Sequence, residues 1–245
     1  MRTRIAMTFL WVAAAFALPQ VARAQSLVVD NFTTGNHEVT LRSGVETHVQ
    51  SGSMIGGFRQ THFLVADGAG NPFNQTGTLD IRPGGPMVVD MGTRVFHRLE
   101  VYYGVGPDGA IAPLNLNLSG FDRFVVNFDC SDSVLNFNLQ IFSDSGATYS
   151  TLGYNLDPNQ DPFSVDFPFA SFKGEANFSD VDLIVLIFQA GNVMGAQDFA
   201  ITSLSAATPL SNDVAGSRAL GRATPIRRVH PGFGAVGRPE ARPPT

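Results

Sequence analysis

The feature that most limits what this chain can fold into is strict alternation. In residues 124–130, Phe124, Val126, Phe128 and Cys130 fall on one side, with Asn127 and Asp129 opposite. In residues 135–141, Leu135, Phe137, Leu139 and Ile141 alternate with Asn136, Asn138 and Gln140. Period two belongs to a strand with one face on a core, and nothing in the body sustains a helical period. Strands are expected at 27–32, 38–42, 45–50, 59–65, 77–81, 87–91, 94–103, 123–130, 134–142, 164–168, 183–189 and 198–205. Gly, Asn, Asp and Pro punctuate them, as in Gly106-Pro-Asp-Gly109 and Asp144-Ser-Gly146. Residues 183–188 are apolar on both sides, so that strand is expected at the centre of a sheet, covered on both faces. So many short strands in one domain imply an all-β fold, an antiparallel β-sandwich of jelly-roll type.

Size and cysteine content fit a single core. Arg2 and Arg4, an apolar run of 14 residues at 5–18 and Ala22-Arg-Ala24 read as a signal peptide at 1–24. That run is short of the roughly 20 residues a membrane span needs. The expected product is secreted, periplasmic or cell-surface, starting near Gln25. Export permits disulfides, yet Cys130 is the only cysteine, so no intramolecular bridge supports the fold. Alternation points the Cys130 thiol inward. The domain is expected at 25–205, followed by a disordered tail at 206–245 rich in Pro, Gly and Arg.

Charge narrows the partners. The body carries seven basic side chains against nineteen acidic ones, while the tail carries six arginines against two acids. An acidic body argues against nucleic acid and fits divalent cations or simple solubility.

Motifs that could carry chemistry mostly reduce to structure. Gly104-Val-Gly-Pro-Asp-Gly109 matches a dinucleotide pattern, but a Pro-Asp-Gly turn follows it in place of a helix N-terminus. It reads as a hairpin connection. Ser53 lacks the flanking glycines of a nucleophile elbow. In Asp157-Pro-Asn-Gln-Asp161, Pro162 stands where a calcium loop needs glycine. His37, His48, His62 and His97 have no metal-ligand spacing. Gly56-Gly57 sits where the chain reverses before residues 59–65, and positive φ in a tight turn is the role expected of it.

Two polar groupings remain. Glu46, read on an outward face with His48 and Gln50, and Glu100, outward with Arg98 and Tyr102, could flank a glycosidic bond if their strands were close. Arg98, Tyr102, Asn127, Asn136 and Asn138 offer the hydrogen-bonding groups of a ligand-binding face. Aromatic groups are sparse there, since the sole tryptophan, Trp11, lies in the signal segment.

Three stretches resemble the galactose-binding-like jelly-roll domains, a group that is similar to carbohydrate-binding modules and complex I intermediate-associated domains. They are Ser53-Met-Ile-Gly-Gly-Phe-Arg59, Val165-Asp-Phe-Pro-Phe-Ala-Ser-Phe172 with the 178–188 run behind it, and Gln197-Asp-Phe-Ala-Ile-Thr-Ser-Leu204. The resemblance covers most of 27–205. It implies carbohydrate as the ligand class and a structural calcium near the paired terminal strands, with Asp30 and Asp198 as its positions.

Together these features point to an exported, non-catalytic binding or structural domain whose partner is a polysaccharide or an envelope component. The alternatives are a polysaccharide-active hydrolase or lyase using Glu46 and Glu100, and a purely structural surface protein.

Overall fold

The computed structural model describes residues 25–189 and 195–208. The expected signal peptide and all but the first three residues of the expected tail lie outside the described residues. Among the described residues no helix is long and apolar enough to cross a membrane.

The strands are β1 (Ser26–Asp30), β2 (His37–Leu41), β3 (Gly44–Ser51), β4 (Phe58–Val65), β5 (Gly77–Ile81), β6 (Met87–Met91) and β7 (His97–Tyr103). They continue with β8 (Arg123–Ser131), β9 (Leu135–Ser143), β10 (Thr148–Leu156), β11 (Phe163–Pro168), β12 (Lys173–Gly174), β13 (Leu183–Gln189) and β14 (Phe199–Ala207). Every pairing is antiparallel. Sheet A runs β11-β8-β14-β6-β5-β2, with β1 also on β14; sheet B runs β12-β10-β9-β13-β7-β4-β3. The two sheets close on each other as the expected jelly-roll sandwich.

The core follows from the alternation. Phe128, Phe167 and Phe199 of sheet A meet Phe137 and Phe188 of sheet B, all essentially buried. Phe137 lies 4.5 Å from Phe188, 5.0 Å from Phe167 and 5.6 Å from Phe128, ring centre to ring centre. Each buried ring stabilises the fold by about 1.5–3 kcal/mol, so this cluster joins the sheets without a disulfide. Strand β13 is central to sheet B and buried on both faces, as its continuous apolar run requires. Gly56 and Gly57 have φ of +74° and +76° in the turn entering β4, the reversal for which glycine was expected.

Four expectations need correction. Strand β10 was not anticipated, and it pairs with β9 along its whole length. Strand β14 runs past Ser205 to Ala207, and Thr208 is hydrogen-bonded to Gln25. On β8 the register on β14 shifts between Cys130↔Ala200 and Phe128↔Ile201. That bulge breaks the alternation, so Ser131 is fully buried and Cys130 is half-exposed. Lastly, the face of β3 carrying Glu46, His48 and Gln50 points inward. Gln50 is buried because it accepts hydrogen bonds from Arg59 Nε and Nη2 at 2.9 and 2.7 Å.

Candidate functional site

The outer face of sheet B gathers most of the polar residues singled out above. Register fixes their neighbours. One row across the sheet reads Asn155, Asn136, Gln189, Arg98; the next reads Gly153, Asn138, Ile187, Glu100, His62; the next reads Thr151, Gln140, Val185, Tyr102, Gln60. Arg98, Glu100, Tyr102, Asn136 and Asn138 therefore share one face. Alternation puts them there: the intervening residues Leu99, Val101, Phe137 and Leu139 are fully buried in the core.

Within this face the charges are internally matched. Arg98 Nε donates to Glu100 Oε1 at 2.5 Å, and the Tyr102 hydroxyl donates to Glu100 Oε2. Each carboxylate oxygen thus accepts one hydrogen bond from its own face. Burial first, and the adjacent Glu100 second, push the Tyr102 pKa well above its usual value, so its hydroxyl stays a donor. Thr47 and His62 hydrogen-bond at 3.0 Å on the same side.

Beside this triad the surface is made of amides. Asn136, Asn138, Asn155 and Gln189, with Gly153, line a shallow depression of about 480 Å3. The Asn138 carboxamide lies over Gly153 so closely that a Cβ there would stand 2.0 Å from Asn138 Oδ1. Tyr149, on the same face, is 54% exposed. Sequence reasoning missed Gly153, Asn155, Gln189 and the placement of Tyr149. The first, second and last belong to β10, whose only signal was the inward series Ser150, Leu152, Tyr154, Leu156.

Other candidates lie elsewhere. Asn127 is on the outer face of sheet A, where Ser164 Oγ donates to its Oδ1 at 2.6 Å and its Nδ2 donates to Ser203 at 2.8 Å. Glu46 pairs with Phe63, and Phe63 with Leu99, which is the core side; Glu100 pairs with His62 on the outer side. Two carboxylates on opposite faces of one sheet cannot flank one glycosidic bond.

Asp30 and Asp198 do not meet either. Asp30 pairs with Leu204, six residues along β14 from Asp198, or roughly 20 Å of strand. Asp30 Oδ1 accepts the Phe32 N–H at 2.7 Å, while Oδ2 takes Arg59 Nη1 at 2.5 Å and the Tyr103 hydroxyl at 3.0 Å. The buried Arg59 guanidinium already neutralises this carboxylate, and Asp198 is too far away to share a cation with it, so this pair does not fit a calcium ion. Asp198 sits near Asp132 and Asp90, and burial with those like charges raises its pKa to about 6 against the pull of the Met91 N–H. Among the described residues no group of three or more His, Cys, Asp or Glu is arranged to hold a metal.

No protein-family model matches the sequence, and no curated protein matches it. Among solved structures it is similar to a family 11 carbohydrate-binding module from Clostridium thermocellum in complex with a beta-1,3-1,4-mixed-linked tetrasaccharide. That pair is 12% identical over 76% of this chain and 96% of the other, with a TM-score of 0.38. A solution structure of CtCBM11 is 15% identical over 79% of this chain and 100% of its own, with a TM-score of 0.40. A non-crystalline-cellulose-specific module, CBM28, is 12% identical over 59% and 76%, with a TM-score of 0.32.

Proposed function

We propose that the outer face of sheet B binds carbohydrate without cutting it. The observation that carries this reading is the row structure of that face: outward amides of Asn136, Asn138, Gln140, Asn155 and Gln189 beside a charge-matched Arg98–Glu100–Tyr102 set and an exposed Tyr149. A carboxamide both donates and accepts, which is what the paired hydroxyls of a sugar require. An exposed phenol ring supplies contact area at low conformational cost. Glu100 is tied to Arg98 and Tyr102, and Glu46, the other carboxylate considered for hydrolysis, lies on the opposite face of the sheet, which supports binding rather than hydrolysis.

The reading includes export. Residues 1–24 have the three-part pattern of a secretory signal, and mass spectrometry of the mature chain should find Gln25 at its start. The function is tested by pull-down of the mature protein on cellulose, xylan, chitin, mannan and galactan, with calcium and then with chelator. Retention on one polymer, reduced in Asn136→Ala/Asn138→Ala, is the expected result; retention on none sinks the reading. Loss of retention under chelator would restore a calcium requirement away from Asp30.

A further inference from the structure

On its outward side, β10 carries Tyr149, Thr151, Gly153 and Asn155 at every second residue, each beside a β9 partner: Phe142, Gln140, Asn138 and Asn136. At one end the Tyr149 ring leans on Phe142 at 5.7 Å. There a depression of about 510 Å3 opens beside it, walled by Thr148, Thr151, Lys173 and Glu175. At the other end lies the amide depression of about 480 Å3. Tyr149 and Asn155 are six residues apart on an extended strand, roughly 20 Å. Between them Gly153 puts no side chain into the path, and the Asn138 carboxamide forms the floor.

We propose that a polysaccharide chain runs along β10, parallel to the strands, with a stacking subsite at Tyr149 and a hydrogen-bonding subsite at Asn136, Asn155 and Gln189. This rests on the carbohydrate-binding reading and adds the direction and ends of the track. The Tyr149 ring offers a flat apolar surface to the C–H face of a sugar ring, with its hydroxyl left in water. At the far end three amides present donors and acceptors within one depression.

The perpendicular route is chemically poorer. Across the sheet from Asn138 the next side chain is Ile187, and from Gln140 it is Val185. Both are buried and apolar, at 6% and 2% exposure. Covered by Val105, Phe58, Tyr102 and Phe142, they offer a crossing chain neither an open surface nor a hydrogen-bonding group. Beyond them Glu100 is already tied to Arg98 and Tyr102.

The test is NMR titration of the isotope-labelled domain with cellohexaose, xylohexaose, mannohexaose and galactohexaose. The expected result is that one hexasaccharide perturbs Tyr149, Thr151, Gly153, Asn155 and Asn136 together. Tyr149→Ala should then weaken that ligand by about tenfold while the Asn155 end still responds. Perturbations running from Asn138 through Ile187 to Glu100 and His62 would overturn the β10 track and leave carbohydrate binding standing. Binding of none of the four at millimolar concentration would overturn both.

Discussion

Arg59 and Asp30 form an ion pair sealed from water, with Arg59 Nη1 2.5 Å from Asp30 Oδ2 and both side chains at 0% exposure. The pair ties β4 of sheet B to β1 of sheet A. Gln50 and the Thr34 carbonyl accept further guanidinium hydrogens, and Phe32 lies 5.2 Å beneath the guanidinium carbon. Removing one partner strands a buried charge. Arg59→Met is expected to cost about 3–5 kcal/mol, and adding Asp30→Asn, which removes the stranded charge and keeps an acceptor for the Phe32 N–H, should recover part of it. Urea unfolding of the single and double variants checks this; equal stability of the two would contradict it.

Two histidines make the fold acid-sensitive. His37 stacks on His48 with ring centres 4.2 Å apart, and His97 is fully buried. Burial lowers His37 to about 4, helped by His48 and Arg59, and burial lowers His97 to about 4 against a weaker opposing effect of the Val95 backbone. The unfolded chain takes up these protons near the usual 6.5, so the stability the neutral rings contribute is complete above that pH and lost as pH falls towards 4. Asp198 acts in reverse: raised from 3.8 to about 6, it contributes stability that is lost as pH rises through 6. With two groups against one, the urea midpoint should rise between pH 4 and 6.5. His97→Leu should flatten the slope and Asp198→Asn should steepen it.

Gly153 holds its place for the Asn138 side chain rather than for its backbone angles. In Gly153→Ala the new methyl takes the space of Asn138 Oδ1, the end of a side chain free to turn away. Stability should change by less than about 1 kcal/mol, while the Asn138 amide resonances shift and polysaccharide retention falls. Unchanged Asn138 resonances would contradict the contact.

Cys130 is half-exposed yet should react slowly. Burial first, then the Asp129 charge, raise its thiol above the usual 9, which suppresses the thiolate that reacts. Alkylation by iodoacetamide at neutral pH should be slower than that of a free cysteine and should speed up on unfolding in urea. Fast labelling of the native protein would show that the bulge leaves the thiol more open than described.

Several elements were legible because one face was apolar and the other polar. Strands β5 and β6 have the bounds the alternation implies, and β13 announced its central place by being apolar on both sides. The outward direction of Arg98, Glu100 and Tyr102 was readable for the same reason. Strand β3 was read inside out because its inner face is polar: Gln50 and His48 point in to meet Arg59 and His37, and period two cannot tell which face is inside when both carry polar groups. Strand β10 escaped notice because Thr, Ser, Gly and Asn along its length resemble a loop. Its apolar partners are supplied by β9, which no local pattern reveals. Asn127 was grouped with Asn136 and Asn138 by type, and only sheet order separates them.

The most direct test of carbohydrate binding on sheet B is native affinity electrophoresis through gels containing soluble polysaccharides. The wild type is run beside Arg98→Ala/Asn138→Ala on the outer face of sheet B and Ser203→Ala on that of sheet A. The account predicts that one polymer slows the wild type and Ser203→Ala alike, and that the double variant runs as it does without polymer. Slowing of all three proteins equally, or of none, would contradict it.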